Sequence, residues 1–169
     1  MKAKKLSQLP FVMLMLLICG LGQAETLQSP LALALSRDDG TQVSLNDYKG
    51  KVIYLDFWAS WCAPCRKSFP WMQQMHHKYR EADLAIIAVN LDTDSQLGRE
   101  FLQQLDADFD VLYDPEGRLA RRLDLQGMPS SFLFDRDGKL LGSHVGFFTE
   151  RQSQYEAELK RAFKGVTDA

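Results

Sequence analysis

The chain has 169 residues, 46% hydrophobic and 25% charged, with no low-complexity tract and no internal repeat, so it reads as a globular chain able to build its own core. Its formal net charge is -2, and setting residues 1–24 aside leaves 17 basic against 22 acidic side chains, a net -5. That mildly acidic balance gives no electrostatic reason to bind nucleic acid or an anionic membrane surface.

Residues 1–24 have the pattern of an export signal. Lys2, Lys4 and Lys5 make a basic start, Phe11 to Cys19 form an unbroken apolar run, and Gly20, Leu21, Gly22, Gln23 and Ala24 supply a small-x-small cleavage site that leaves Glu25 first. The run is well short of the roughly 20 residues that cross a bilayer, and Pro10 stands at its start. A retained N-terminal anchor is the alternative reading. So is lipid attachment at Cys19, although Ile18 stands where a small residue is expected. Residues 25–169 then form a single domain.

In that domain, Leu31, Leu33 and Leu35 alternate with other residues, Asp39-Gly40 marks a turn, and Val43 and Leu45 alternate again, which predicts an N-terminal β-hairpin. Lys51 to Phe57 reads as a strand buried on both faces, with Asp56 discordant in it. Cys62 to about Tyr79 is helical in character, with Pro64 near the first turn and Phe69, Met72, Met75 and Tyr79 at helical spacing; Pro70 inside it predicts a kink. Leu84 to Asn90 is a second buried strand. Ser95 reads as the cap of a helix whose apolar face is Leu97, Phe101, Leu102 and Leu105. Val111 to Tyr113 is a short strand ending in the turn Asp114-Pro115-Glu116-Gly117, and Leu119 and Leu123 mark a short helix. After Gly127-Met128-Pro129, the strands Ser131 to Phe134 and Leu140 to Val145 flank Asp135-Arg136-Asp137-Gly138 as a second hairpin. Tyr155, Leu159 and Phe163 close the chain with an amphipathic helix. Two βα crossovers and an antiparallel hairpin predict an α/β fold with a central mixed sheet and helices on both faces.

The cysteine count narrows the chemistry. Of three cysteines, Cys19 lies in the export segment, leaving Cys62 and Cys65. A bridge across two intervening residues closes almost no loop, so it is a poor structural staple. A structural zinc site needs four ligands, and no second cysteine or Cys/His pair stands at ligand spacing. His76 and His77 are adjacent on a helix, about 100° apart, and read as solvated residues rather than ligands of one metal. Reversible redox chemistry is what remains. The pair lies where a buried strand runs into a helix, and unpaired N–H groups at the helix start favour the thiolate of Cys62, the nucleophile, with Cys65 one turn inside as the shielded resolving thiol.

Asp56-Phe57-Trp58-Ala59 followed by Trp61-Cys62-Ala63-Pro64-Cys65 closely resembles the thioredoxin superfamily motif, with Pro70 where that family carries a helix proline. Gly127-Met128-Pro129-Ser130-Ser131-Phe132 looks like its cis-proline loop. The N-terminal hairpin, Gly50-Lys51 before the strand and the helix inserted between Asn90 and Val111 are more similar to the exported TlpA/ResA-like branch, whereas Asp56 is more thioredoxin-like.

The resemblance implies a thioredoxin fold, a redox-active Cys62–Cys65 disulfide, and Asp56 as a buried carboxylate exchanging a proton with Cys65. A strand-end solvated acid is the other reading of Asp56. It further implies a cis bond before Pro129 and a substrate-binding surface of Trp61, Ala63, Pro64, Met128 and Pro129. Trp58, Phe147 and Phe148 read as packing residues. No metal, nucleotide or flavin cofactor is called for, since the electrons travel in the cysteines. The function implied is reduction of protein disulfides on the periplasmic, extracytoplasmic side, fed by a membrane thiol donor, with apocytochrome c among candidate targets. An oxidase or isomerase on the same fold stays open, as does a redoxin-type thiol peroxidase, although position 59 is Ala where the peroxidatic motif carries Thr or Ser.

Overall fold

The computed structural model describes residues 29–105 and 107–165; the expected export segment, Cys19 included, lies outside the described residues. In chain order the elements are β1 (Leu35–Ser36), β2 (Gln42–Val43), β3 (Val52–Trp58), α1 (Cys65–Lys78), β4 (Leu84–Asn90), α2 (Ser95–Leu102), β5 (Asp110–Tyr113), α3 (Arg118–Arg122), β6 (Ser130–Phe134), β7 (Leu140–Val145) and α4 (Gln152–Phe163). They build one seven-stranded sheet of order β2-β1-β5-β4-β3-β6-β7. β3, β4 and β5 are parallel, joined through α1 and α2, and β6 pairs antiparallel with β3. Among the described residues no helix is long and apolar enough to cross a membrane.

The period-2 alternation of β3 and β4 divides the interior into two cores. Val52, Tyr54 and Trp58 of β3, with Leu84, Ile86 and Ala88 of β4, pack against Phe69, Met72 and Met75 of α1, Phe101 of α2 and Leu159 of α4. Ile53, Leu55, Phe57, Ile87 and Val89 point the other way, onto Leu119 and Ala120 of α3 and onto Leu35, Leu45 and Tyr48 from the N-terminal segment. The apolar runs read from the sequence are thus runs because both faces are covered. Asp56, between Tyr54 and Trp58 in the alternation, belongs to the face beneath α1.

Three local expectations change. Only Leu35 with Val43 and Ser36 with Gln42 pair in the first hairpin, because Leu31 and Leu45 reach the core from short 3-10 helices, Pro30–Ala32 and Leu45–Tyr48. Side chains divert those backbones: the Ser29 hydroxyl accepts from Leu31 N at 3.3 Å, and the Asp47 carboxylate accepts from Ser44 N at 2.7 Å. The cap of α2 is Asp94, which accepts from Gln96 N at 3.0 Å, and Ser95 is the first helical residue. Finally, α1 begins at Cys65 rather than Cys62, with Pro64 as its N-cap, and runs on through Pro70. Asp114, 1% exposed, accepts from the amides of Arg118, Leu119 and Ala120, so this turn acid fixes the start of α3.

Candidate active site

β3 ends at Trp58, and the chain takes two tight steps before α1: Cys62 N donates to Ala59 O, and Cys65 N donates to Cys62 O, each at 3.0 Å. Cys62 therefore sits in the turn that feeds the helix, not in its first turn, but still against the N-terminal end of a 14-residue helix. Cys62 and Cys65 form a disulfide, with Cα atoms 5.3 Å apart. Both are buried, Cys62 at 4% exposure and Cys65 at 0%, so Cys62 is the sulfur nearer solvent. The residues around them are open: Trp61 is 69% exposed, and Ala63 and Pro64 are exposed. Trp58 is the opposite, fully buried edge-to-face on Phe69 at 5.0 Å, as a packing residue should be.

Asp56 is 1% exposed, which rules out the solvated reading. Burial pushes its carboxyl up to about 8, and the Ser68 hydroxyl, 3.4 Å from Oδ2, opposes that shift. Ser68, 0% exposed and one turn after Cys65, also donates to the Cys65 carbonyl at 2.9 Å. β3 thus supplies the acid and α1 the thiol, joined through one serine. An acid that titrates near neutrality can accept or return a proton there, as general acid–base chemistry requires.

The peptide bond between Met128 and Pro129 is cis. Met128 is half-buried on the same apolar cluster as the two cysteines, and Pro129 is buried. The loop is held by Ser130 Oγ donating to Gly127 O at 2.7 Å and by Gly146 N donating to Pro129 O at 2.7 Å. The second bond brings residues 145–148 alongside it. Phe147 packs at 5.9 Å on Trp71, but Phe148 is 42% exposed under the Arg151 guanidinium, so the expectation that both are packing residues holds for Phe147 alone.

Two residues at the site escaped sequence reasoning. Ser68 is a polar residue on an otherwise apolar buried stripe of α1, the signal that could have found it. Asp92, 2% exposed, accepts from Ser60 N at 3.0 Å, Ser60 Oγ at 3.0 Å and Asn90 Nδ2 at 2.7 Å, fixing the loop that carries Trp61 and Cys62. Nothing in the apolar pattern marks Asp92, because it lies just past the strand. His76 and His77 both bring Nε2 to 3.7 Å from Asp108, so the pair converges on one carboxylate although its rings leave the helix in different directions.

The profile of the Redoxin family matches residues 23–159. The thiol-disulfide oxidoreductase ResA of Bacillus cereus is 36% identical over 114 residues, which are 68% of this chain and 66% of that protein. This chain therefore spans just under two thirds of ResA. The thioredoxin-like protein YneN of Bacillus subtilis is 31% identical over 82% of this chain and 81% of its own. Among solved structures, that of a candidate thiol:disulfide interchange protein DsbE from Chlorobium tepidum superposes with a TM-score of 0.75 at 46% identity, covering 78% of this chain and 92% of that one. The fold is that of the thioredoxins.

Proposed function

Since the chain belongs to the Redoxin family, we propose that it is an exported thiol:disulfide oxidoreductase of ResA/DsbE type that reduces disulfides of exported proteins. The observation that carries this reading is the Cys62–Cys65 disulfide at the start of α1, with a fully buried acid of raised proton affinity beneath it. In the dithiol enzyme the helix end favours the thiolate of Cys62, which attacks one sulfur of a substrate disulfide and expels the other as thiolate. A mixed disulfide results. Cys65 then passes its proton to Asp56, its sulfur bonds to that of Cys62, and the bond from Cys62 to substrate breaks, the electron pair leaving with the substrate thiolate. Two electrons pass to the substrate, whose two thiolates take their protons from solvent, the Cys65 proton rests on Asp56, and the enzyme ends as its disulfide. An extended peptide would lie across Trp61, Ala63, Pro64 and the Met128 backbone beside Pro129, as in strand addition.

Ala63-Pro64 between the cysteines, with no histidine there, supports the reducing direction. A reductase outside the cytoplasm needs electrons, and a membrane thiol donor fits that need. The export pattern of residues 1–24 supports a periplasmic location, where apocytochrome c is one candidate substrate.

Insulin-disulfide reduction by the purified protein tests the reading. Activity should vanish in Cys62→Ser, and Cys65→Ala should accumulate substrates covalently held on Cys62. Turnover surviving both changes would end the proposal. A glutathione-titrated potential near about -120 mV would assign the oxidase direction instead.

A further inference from the structure

The Ser68 hydroxyl has one proton and faces two acceptors, the Cys65 carbonyl at 2.9 Å and Asp56 Oδ2 at 3.4 Å, all of it sealed from water. Back-bonding to a carbonyl one turn earlier is the usual use of a mid-helix serine. The unusual element is the second neighbour, a buried carboxyl under the resolving thiol. A hydroxyl donates one hydrogen and accepts up to two. When Asp56 is ionised, the Ser68 proton can rotate onto the carboxylate as a charge-assisted bond. When Asp56 is protonated, its O–H can donate to Ser68 Oγ while the serine proton stays on the Cys65 carbonyl. The unequal distances put the serine proton on the Cys65 carbonyl in the disulfide form and leave the Asp56 contact the looser of the two.

We propose that Ser68 is a positioning residue for the resolving step, a rotor that keeps Asp56 hydrogen-bonded in both protonation states and so sets the pH at which it takes the proton of Cys65. This rests on the reading of Asp56 as that proton's acceptor. The rotor asks for a small side-chain approach and no backbone movement, so the buried acid changes charge without losing a partner, which in an apolar interior is otherwise costly.

Few other groups can imitate the effect. Ser68, one turn past Cys65, faces Asp56 from α1, and Tyr54 lies two residues before it on the same side of β3. The paired positions on β4 and β6 are the uncharged Ala88 and Ser131. Beyond Ser131 in the same cross-sheet row is His144 of β7, engaged by Glu158 of α4 at 2.6 Å; Tyr155 of α4 packs on the His144 ring.

The test is a double-mutant cycle of Ser68→Ala and Asp56→Asn in the full chain. It is read by the pH dependence of mixed-disulfide resolution and by the carboxyl carbon shift of Asp56 in the NMR spectrum. Alanine favours a helix interior, so the fold is not at stake. Ser68→Ala removes both bonds, of which the charge-assisted one to the ionised acid is the stronger, so the Asp56 titration and the rate profile should both move upward by up to about one pH unit. Resolution at pH 7 should slow severalfold, and the same change in an Asp56→Asn background should move nothing. A Ser68→Ala profile superimposable on the parent's, or an equal rate loss in both backgrounds, would overturn the role of Ser68 while leaving the oxidoreductase reading intact. An Asp56→Asn enzyme with the parent's profile would instead remove the premise, and the rotor with it.

Discussion

At the residue scale, Asp56 is a stability cost that the proposed chemistry would explain. A carboxyl near 3.8 in the unfolded chain and raised to about 8 in the folded one binds more protons folded than unfolded between those values. Stability from this group therefore falls as pH rises through that window, and is unaffected below about pH 3. Asp56→Ala should stabilise the protein by an amount that grows with pH, on the order of 4 kcal/mol by pH 7, and urea unfolding at pH 4 and pH 7.5 would show it. A pH-independent gain would mean that the effect is packing alone. The same variant should resolve mixed disulfides about a hundredfold more slowly, the ordinary loss when a positioned base is removed.

At the element scale, α1 and α4 lie side by side on the active-site face, fastened by a charged clasp. Glu156 of α4 accepts from Lys78 at 2.8 Å, Tyr79 at 2.5 Å and Lys160 at 2.9 Å, and these bonds hold its carboxyl down at about 2. A depressed acid contributes stability that is complete above its usual value near 4.5 and lost as pH falls toward 2. Glu156→Gln should cost up to about 1 kcal/mol at pH 7 and nothing near pH 2, which thermal melts across that range would detect. Much at this scale was legible in sequence: β4 matches its apolar run end for end, and β3 and β7 differ from expectation by a residue or not at all. What was not legible are places where a side chain overrides the local pattern. Ser29 and Asp47 divert two apolar residues into 3-10 turns, and Asp94 takes the cap from Ser95. At the site, Cys62, Cys65 and Asp56 were readable because redox chemistry constrains spacing and an acid in an apolar strand stands out. Asp92 and Ser68 act through contacts that only the assembled sheet and helix create.

At the scale of the whole molecule, the two cores are unequal in their duties. Both cysteines, Asp56, Ser68 and Trp58 belong to the face under α1 and α4, while Leu119, fully buried, anchors α3 to the opposite face. Leu119→Ala should lose about 3 kcal/mol in urea unfolding, the range for a truncated buried leucine. The insulin-reduction rate per folded molecule should stay at the parent's value. A fall in that rate at full folding would mean that the sheet transmits packing changes from one face to the other.

The set from Asp56 to Ser68 occupies 13 consecutive residues of one βα unit, whereas the Met128–Pro129 loop comes from some sixty residues later and is brought to it because β6 lies against β3. In the proposed function, electron transfer is thereby confined to the earlier stretch, while the peptide surface draws on both. On that reading, changes in the later stretch would alter which clients are held while leaving both sulfurs and the acid of the βα unit in place.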